Sequence, residues 1–210
     1  MGEESRHTAL NPSAQLAQEA RKRAEAEPAR RGEPAFHMTE GMRRLSTPWY
    51  VALARARRID PTALPAGVIL DAAAGSGLQL VAYSRELKRP ALGIEADGNI
   101  AVLCAANMHI NSDEGDLQRS MDRVIIGDGS DAEGAITEYW NSLREAGTRA
   151  HPPIAMLHLD PARPLDAQNH DLDDMQPAIG SVLSSWGGHL QSGPRGPAVL
   201  LDLSPRLGED

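Results

Sequence analysis

Val68-Ile-Leu-Asp-Ala-Ala-Ala-Gly-Ser-Gly77 is the stretch on which the reading of the whole chain turns. An apolar run closes on an acid and passes straight into a turn with glycines at 75 and 77. Glycine takes positive φ without a Cβ penalty and lets a ligand come close to the backbone. Residues 78–87 then read as a helix stopped by Arg89-Pro90, so its first N–H groups point at the turn and suit a carboxylate or phosphate. Gly-x-Gly alone is a weak signal. A dinucleotide site would want a third glycine at position 80, where Leu80 stands.

Outward from that turn, strand and helix alternate. Residues 91–95, 123–127, 154–159 and 198–203 read as strands, with helices over 100–110, 131–146 and 171–186, the last containing Pro177. Five strands separated by helices imply a mostly parallel, doubly wound sheet with right-handed crossovers and helices on both faces. The order expected is 3-2-1-4-5, which makes the first and fourth strands neighbours. Asp71 and Asp160 would then face one crevice from adjacent strands.

Glu95 closes the second strand, 18 residues beyond Gly77, where an acid can accept hydrogens from both ribose hydroxyls. Asp128 follows the third strand and is placed to take an adenine amino group, with Gly129 leaving room for the base. Each acid alone is more often a helix cap or a solvated loop residue. Three at the carboxyl ends of three successive strands favour a nucleoside site.

This arrangement resembles the class I S-adenosylmethionine-dependent methyltransferases, a Rossmann-like family. Asp71-Ala-Ala-Ala-Gly-Ser-Gly77 looks like their first motif, Gly93-Ile-Glu-Ala-Asp97 their second and Gly127-Asp-Gly129 their third. The resemblance implies that Gly75 and Gly77 hold the methionine part of S-adenosylmethionine, Glu95 the ribose and Asp128 the adenine. It also implies that Ala96 flanks the base beside Gly129, and that Asp71, with Ala72, orders the turn near the methionine amine. Leu159-Asp-Pro-Ala-Arg163, Met38-Thr-Glu-Gly-Met42 and the Thr47 to Arg57 segment are similar to a narrower, THUMP-like group, over about residues 36 to 205. Many enzymes of the wider family that methylate an exocyclic amine carry Asp/Asn-Pro-Pro-aromatic at this place. This chain keeps Asp160 and Pro161 but has Ala162 and Arg163 instead of the second proline and the aromatic. Asp160, Pro161 and Arg163 are the candidate catalytic residues. Arg163 can stack on a base in place of the aromatic, pair with a phosphate, or bridge to Asp160.

The family usually has seven strands, and with the fifth read over 198–203 of 210 residues the final hairpin and the C-terminal THUMP-like region are expected to be lacking. The flank of the fifth strand would be an association hazard, which a homodimer or a partner chain would cover. Residues 1–34 read as a flexible or helical extension, either a solvated helix over 13–27 or a disordered tail. Residues 35–66 read as a helical segment ahead of the first motif, with a new helix beginning near Pro48. Residues 67–210 are, on the resemblance, expected to form the methyltransferase core.

At 210 residues and 41% hydrophobic, the chain can bury a real core, which aliphatics and Ala must fill because Phe36 is its single Phe. A net charge of −8 argues against a general nucleic-acid coat. Arg43, Arg44, Arg55, Arg57 and Arg58 nevertheless cluster ahead of the first strand, either to contact RNA or as a solvated face. Phe36, His37 and Met38 read equally as a lid over the cofactor or as packing. Lone Cys104 excludes a disulfide within one chain and reads as core. No histidine pair has metal spacing, so no metal site is expected, and neither His109 nor His158 is given a catalytic role. No apolar run spans a membrane and no signal-peptide core is visible, so a cytoplasmic enzyme is expected. The expected function is methylation of RNA, on nitrogen rather than carbon. The alternative is a catalytically weak methyltransferase-like scaffold or RNA-binding subunit. A nicotinamide dehydrogenase is disfavoured by Leu80.

Overall fold

The computed structural model describes residues 7–112, 117–162 and 175–203. Its centre is a mostly parallel α/β sheet in which β4 (Val68–Asp71), β5 (Ala91–Glu95), β6 (Arg123–Ile126), β7 (Ile154–Leu159) and β9 (Gly196–Leu201) lie in the order β6-β5-β4-β7-β9. This is the expected 3-2-1-4-5 order, and it is compatible with a Rossmann-like fold. β4 runs parallel to both β5 and β7, with Asp71 level with Gly93 on one side and His158 on the other.

The centre strands are buried on both faces, as parallel strands under crossover helices must be. Because side chains alternate along a strand, Ile69 enters a core beneath α3 (Trp49–Ala56), α4 (Leu78–Leu87) and α5 (Gly98–Ile110). Val68 and Leu70 enter the opposite core, beneath α6 (Ala132–Glu145) and α7 (Ile179–Trp186). Asp97 caps α5 and Asp131 caps α6, each side chain accepting N–H groups of the first turn. The two helices ahead of β4 are α2 (Glu40–Leu45), capped by Thr39, and α3, which starts after Pro48.

The amino-terminal extension departs from its reading as a solvated helix or tail. β1 (Thr8–Leu10) pairs antiparallel with β6, and Glu138 on α6 accepts the Ala9 N–H at 3.0 Å. α1 (Ala14–Arg21) is shorter than expected and packs on α5, with Ala17 and Ala20 buried against Leu103 and Ala106. The reason lies in α5, which carries apolar residues around its whole circumference and so needs a second layer outside it. Beyond α1, β2 (Ala26–Pro28) and β3 (Ala35–His37) form a separate antiparallel pair.

β1 brings the sheet to six strands, and β8 (Ser192–Gly193) makes seven. The missing-strand expectation is therefore corrected in number. β8 meets β9 only at Gly196 and Pro197, so among the described residues the rest of that flank carries no strand. α7 begins at Ile179, after Pro177 rather than through it, since proline disrupts a helix interior. Residues 171–174 of the expected helix lie outside the described residues. No helix among the described residues is long and apolar enough to cross a membrane.

Candidate active site at the carboxyl ends of the parallel strands

The turn after β4 is built by its own backbone and by Glu95. Gly75 and Gly77 have φ of 51° and 76°, a region that L side chains rarely adopt. A Cβ at Gly75 would meet nothing within 4 Å, so the backbone there stands open on that side. A Cβ at Gly77, the N-cap of α4, would lie 2.8 Å from Cys104 Sγ. The Gly75 N–H donates to Glu95 Oε2 at 3.0 Å and the Asp97 N–H to Glu95 Oε1 at 2.9 Å. Glu95 thus ties the glycine turn to the loop after β5. Burial raises its pKa against the lowering effect of these two bonds, and the Asp71 and Asp97 charges add to the rise. A carboxylate accepts about four hydrogen bonds, so each oxygen keeps capacity for a ligand hydroxyl.

Asp128 is exposed and turns its Oδ1 to the Ser130 N–H and hydroxyl, both at 2.8 Å. Ala96 is exposed in the loop after β5. Gly129 has a packing reason to be glycine: a Cβ would collide with the Ala72 carbonyl, while its own carbonyl accepts the Trp186 indole N–H at 2.7 Å. That close approach, more than room for a base, explains the residue. Ala72 is buried, and its N–H donates to the His158 carbonyl at 3.2 Å across the β4–β7 junction.

Asp71 and Asp160 do come from adjacent strands, and between them lies a polar network that the sequence reading did not assemble. Asp71 Oδ1 accepts the Ala73 N–H at 3.1 Å, and Oδ2 lies 2.8 Å from His158 Nδ1. His158 is fully buried in β7, its ring 4.9 Å from that of Tyr83, and its Nε2 stands 3.5 Å from Asp202 Oδ2, an ion-pair distance. Burial alone would lower the His158 pKa, but the charge of Asp71, with Asp202 behind it, outweighs burial and pushes it up to about 10. Carboxylates thus lie on both sides of the ring, an arrangement that favours the imidazolium over the neutral imidazole.

Asp202 also accepts from the Arg55 guanidinium, which donates to Gln79 Oε1 at 3.3 Å. The Gln79 amide in turn donates to Asp160 Oδ2 at 2.5 Å. Burial raises the Asp160 pKa, Asp202 raises it further, and His158 and Gln79 oppose the rise. Pro161 is buried next to it, and a proline there biases Asp160 to an extended backbone. Arg163 lies outside the described residues. Sequence reading missed Gln79, Tyr83 and Asp202, and set His158 aside. The available signal was a histidine inside an apolar strand flanked in space by two strand-tip acids.

The lid question resolves toward packing. Phe36, His37 and Met38 are buried, and Asn107 on α5 accepts the His37 N–H while donating to the His37 and Ser76 carbonyls. That clamp fixes β3 against the glycine turn as a wall. Three of the five clustered arginines are engaged by groups of the same chain. Arg43 binds the Glu25 and Glu27 carbonyls and the Glu27 carboxylate, Arg55 serves Asp202, and Arg57 pairs with Glu86. Arg44 and Arg58 are exposed, as are Leu45 and Tyr50. Cys104 is core, its thiol pushed up by burial. Among the described residues no three metal-ligating side chains are grouped to hold an ion. Compared with known proteins, the chain matches no family model, no curated protein and no solved structure.

Proposed function

We propose that the chain is an S-adenosylmethionine-dependent methyltransferase whose cofactor lies over the carboxyl ends of β4, β5 and β6, and whose acceptor amine meets Asp160 at the end of β7. The observation that carries this reading is the Glu95–Gly75 hydrogen bond. It joins the glycine turn and the second-strand acid into one wall, with open space above the Gly75 backbone. The residues fit the cofactor on chemical grounds. Free N–H groups at the start of α4 suit its carboxylate, Glu95 suits the ribose hydroxyls, and Asp128 suits an adenine amine.

When bound, the sulfonium supplies an already activated methyl group, so the protein's task is proximity and orientation. Asp160 would accept one N–H of the acceptor amine and steady the positive charge that grows on nitrogen as the N–C bond forms and the C–S bond breaks. Pro161 holds that turn extended, and the proton leaves the methylated amine for Asp160 or for water. RNA as the substrate rests on the resemblance, together with exposed Tyr50, Arg44 and Arg58 ahead of β4.

Calorimetric titration with S-adenosylmethionine and with NAD tests the cofactor: binding of the first and not the second is expected. Methyl-label transfer to fractionated cellular RNA, DNA and protein then tests the substrate class. Asp160→Ala should keep cofactor affinity nearly intact while transfer collapses. Full transfer by that variant would remove the role given to Asp160. Cofactor binding with no transfer to any fraction would favour a scaffold.

A further inference from the structure

The geometry points to Arg55 and Gln79 as positioning residues that set the side chain of Asp160 through one directed hydrogen-bond chain, anchored inside the sheet by His158. The purpose of that chain rests on the methyltransferase reading of Asp160; its existence does not.

The Gln79 carboxamide has one accepting end and one donating end. Its Oε1 faces the Arg55 guanidinium at 3.3 Å and the Tyr83 hydroxyl at 3.5 Å. Its Nε2 faces Asp160 Oδ2 at 2.5 Å. Turning the amide over would set its hydrogens against a cation and its oxygen against a carboxylate. Arg55 therefore decides which end of Gln79 Asp160 meets. Arg55 is itself held by Asp202, whose N–H donates to the Leu159 carbonyl at 3.0 Å and so keeps β9 in register with β7. His158 lies between Asp71, 2.8 Å from its Nδ1, and Asp202, 3.5 Å from its Nε2, so the buried ring joins the two acids across the sheet. Among the described residues, Asp160 Oδ1 takes no hydrogen bond, which leaves it as the oxygen free for an acceptor N–H. α3, ahead of the first motif and remote in sequence from Asp160, thereby becomes part of the acceptor machinery.

The groups facing Asp160 are Gln79 from α4, His158 from β7, Asp71 from β4 and Asp202 after β9. The test follows the Asp160 carboxyl by carbon NMR in the full chain labelled with 13C-aspartate, its signal assigned with Asp160→Asn. Gln79→Leu should raise the Asp160 midpoint by about 0.5 to 1 pH unit, because a hydrogen bond to the charged form is lost. Arg55→Met should raise it by a similar amount. The double variant should rise no further than Gln79→Leu alone, since a chain broken at one link gains nothing from a second break. Arg55→Gln repeats the measurement if Arg55→Met does not fold. Shifts that add in full would mean Arg55 acts through space and would overturn the chain, as would an unchanged midpoint in Gln79→Leu. Gln79→Leu should also lower methyl transfer to total RNA about tenfold or more with S-adenosylmethionine affinity unaltered. Failure of the wild type to bind S-adenosylmethionine would remove the proposed function while the midpoints still decide the chain.

Discussion

On the β4–β6 side of the crevice the acids spend their oxygens close to home. Asp128 holds Ser130, Asp97 holds Asn99, and Glu95 reaches no further than Gly75 and Asp97. On the β7–β9 side the contacts that build the network span the chain: Asp71 to His158, Gln79 to Asp160, Arg55 to Asp202. The first side is a set of turns that satisfy themselves and then offer spare lone pairs. The second is an ionic network running from half-exposed Arg55 to the fully buried Asp71–His158 pair, where each buried charge leans on its neighbour. Local acids can be lost one at a time; the network fails as a unit.

The largest expected effect lies on the network side. His158→Leu leaves Asp71 and Asp202 buried without their shared cation and should cost about 3–5 kcal/mol in urea unfolding. A variant as stable as the wild type would show that the two carboxylates do not need it. The same residue predicts a pH dependence with a definite sign. Its folded pKa, about 10, lies above the ordinary 6.5, so its stabilising contribution is whole below pH 6.5 and is lost as pH rises through about 10. Urea midpoints of the wild type should therefore fall between pH 6.5 and 9.5, and this component should vanish in His158→Leu. A flat wild-type profile would argue for a neutral imidazole.

On the nucleoside side the expected effect is smaller and appears in binding. Glu95→Ala removes the bond to Gly75 and, on the proposed function, the ribose acceptor with it, and should then weaken S-adenosylmethionine by about 1–3 kcal/mol in calorimetry. Unchanged affinity would break the ribose assignment. The smallest effect belongs to neither side. Arg57 and Glu86 form an exposed pair at 3.3 Å, and Arg57→Ala should change stability by about 0.5 kcal/mol or less. A larger loss would mean the outer arginines hold more of the fold than their exposure suggests.

These contrasts also explain what was readable beforehand. Val68–Asp71, Gly75, Gly77, Glu95 and Asp128 announce themselves because periodicity, turn chemistry and a strand-end acid are local patterns. Asp160 was found by topology, since a doubly wound order makes its strand the neighbour of β4. His158 looked like a packed strand histidine, and it is packed; its charge comes from acids that only the sheet brings to it. Arg55 looked like one more surface arginine until α3 was laid across α4 and the end of β9.

The amino-acid sequence by itself determined the alternation of elements, the order of the five central strands, and the glycine turn with its three acids, because these follow from side-chain period and backbone sterics over a few residues. Tertiary structure alone decided that residues 8–21 belong to the sheet and its outer layer, that β8 rather than a longer hairpin meets β9, and that Asp71, His158, Asp202, Arg55, Gln79 and Asp160 form one chain of contacts. Burial creates and orients those charges only after distant segments have closed on one another, and no local pattern records which partner each will find.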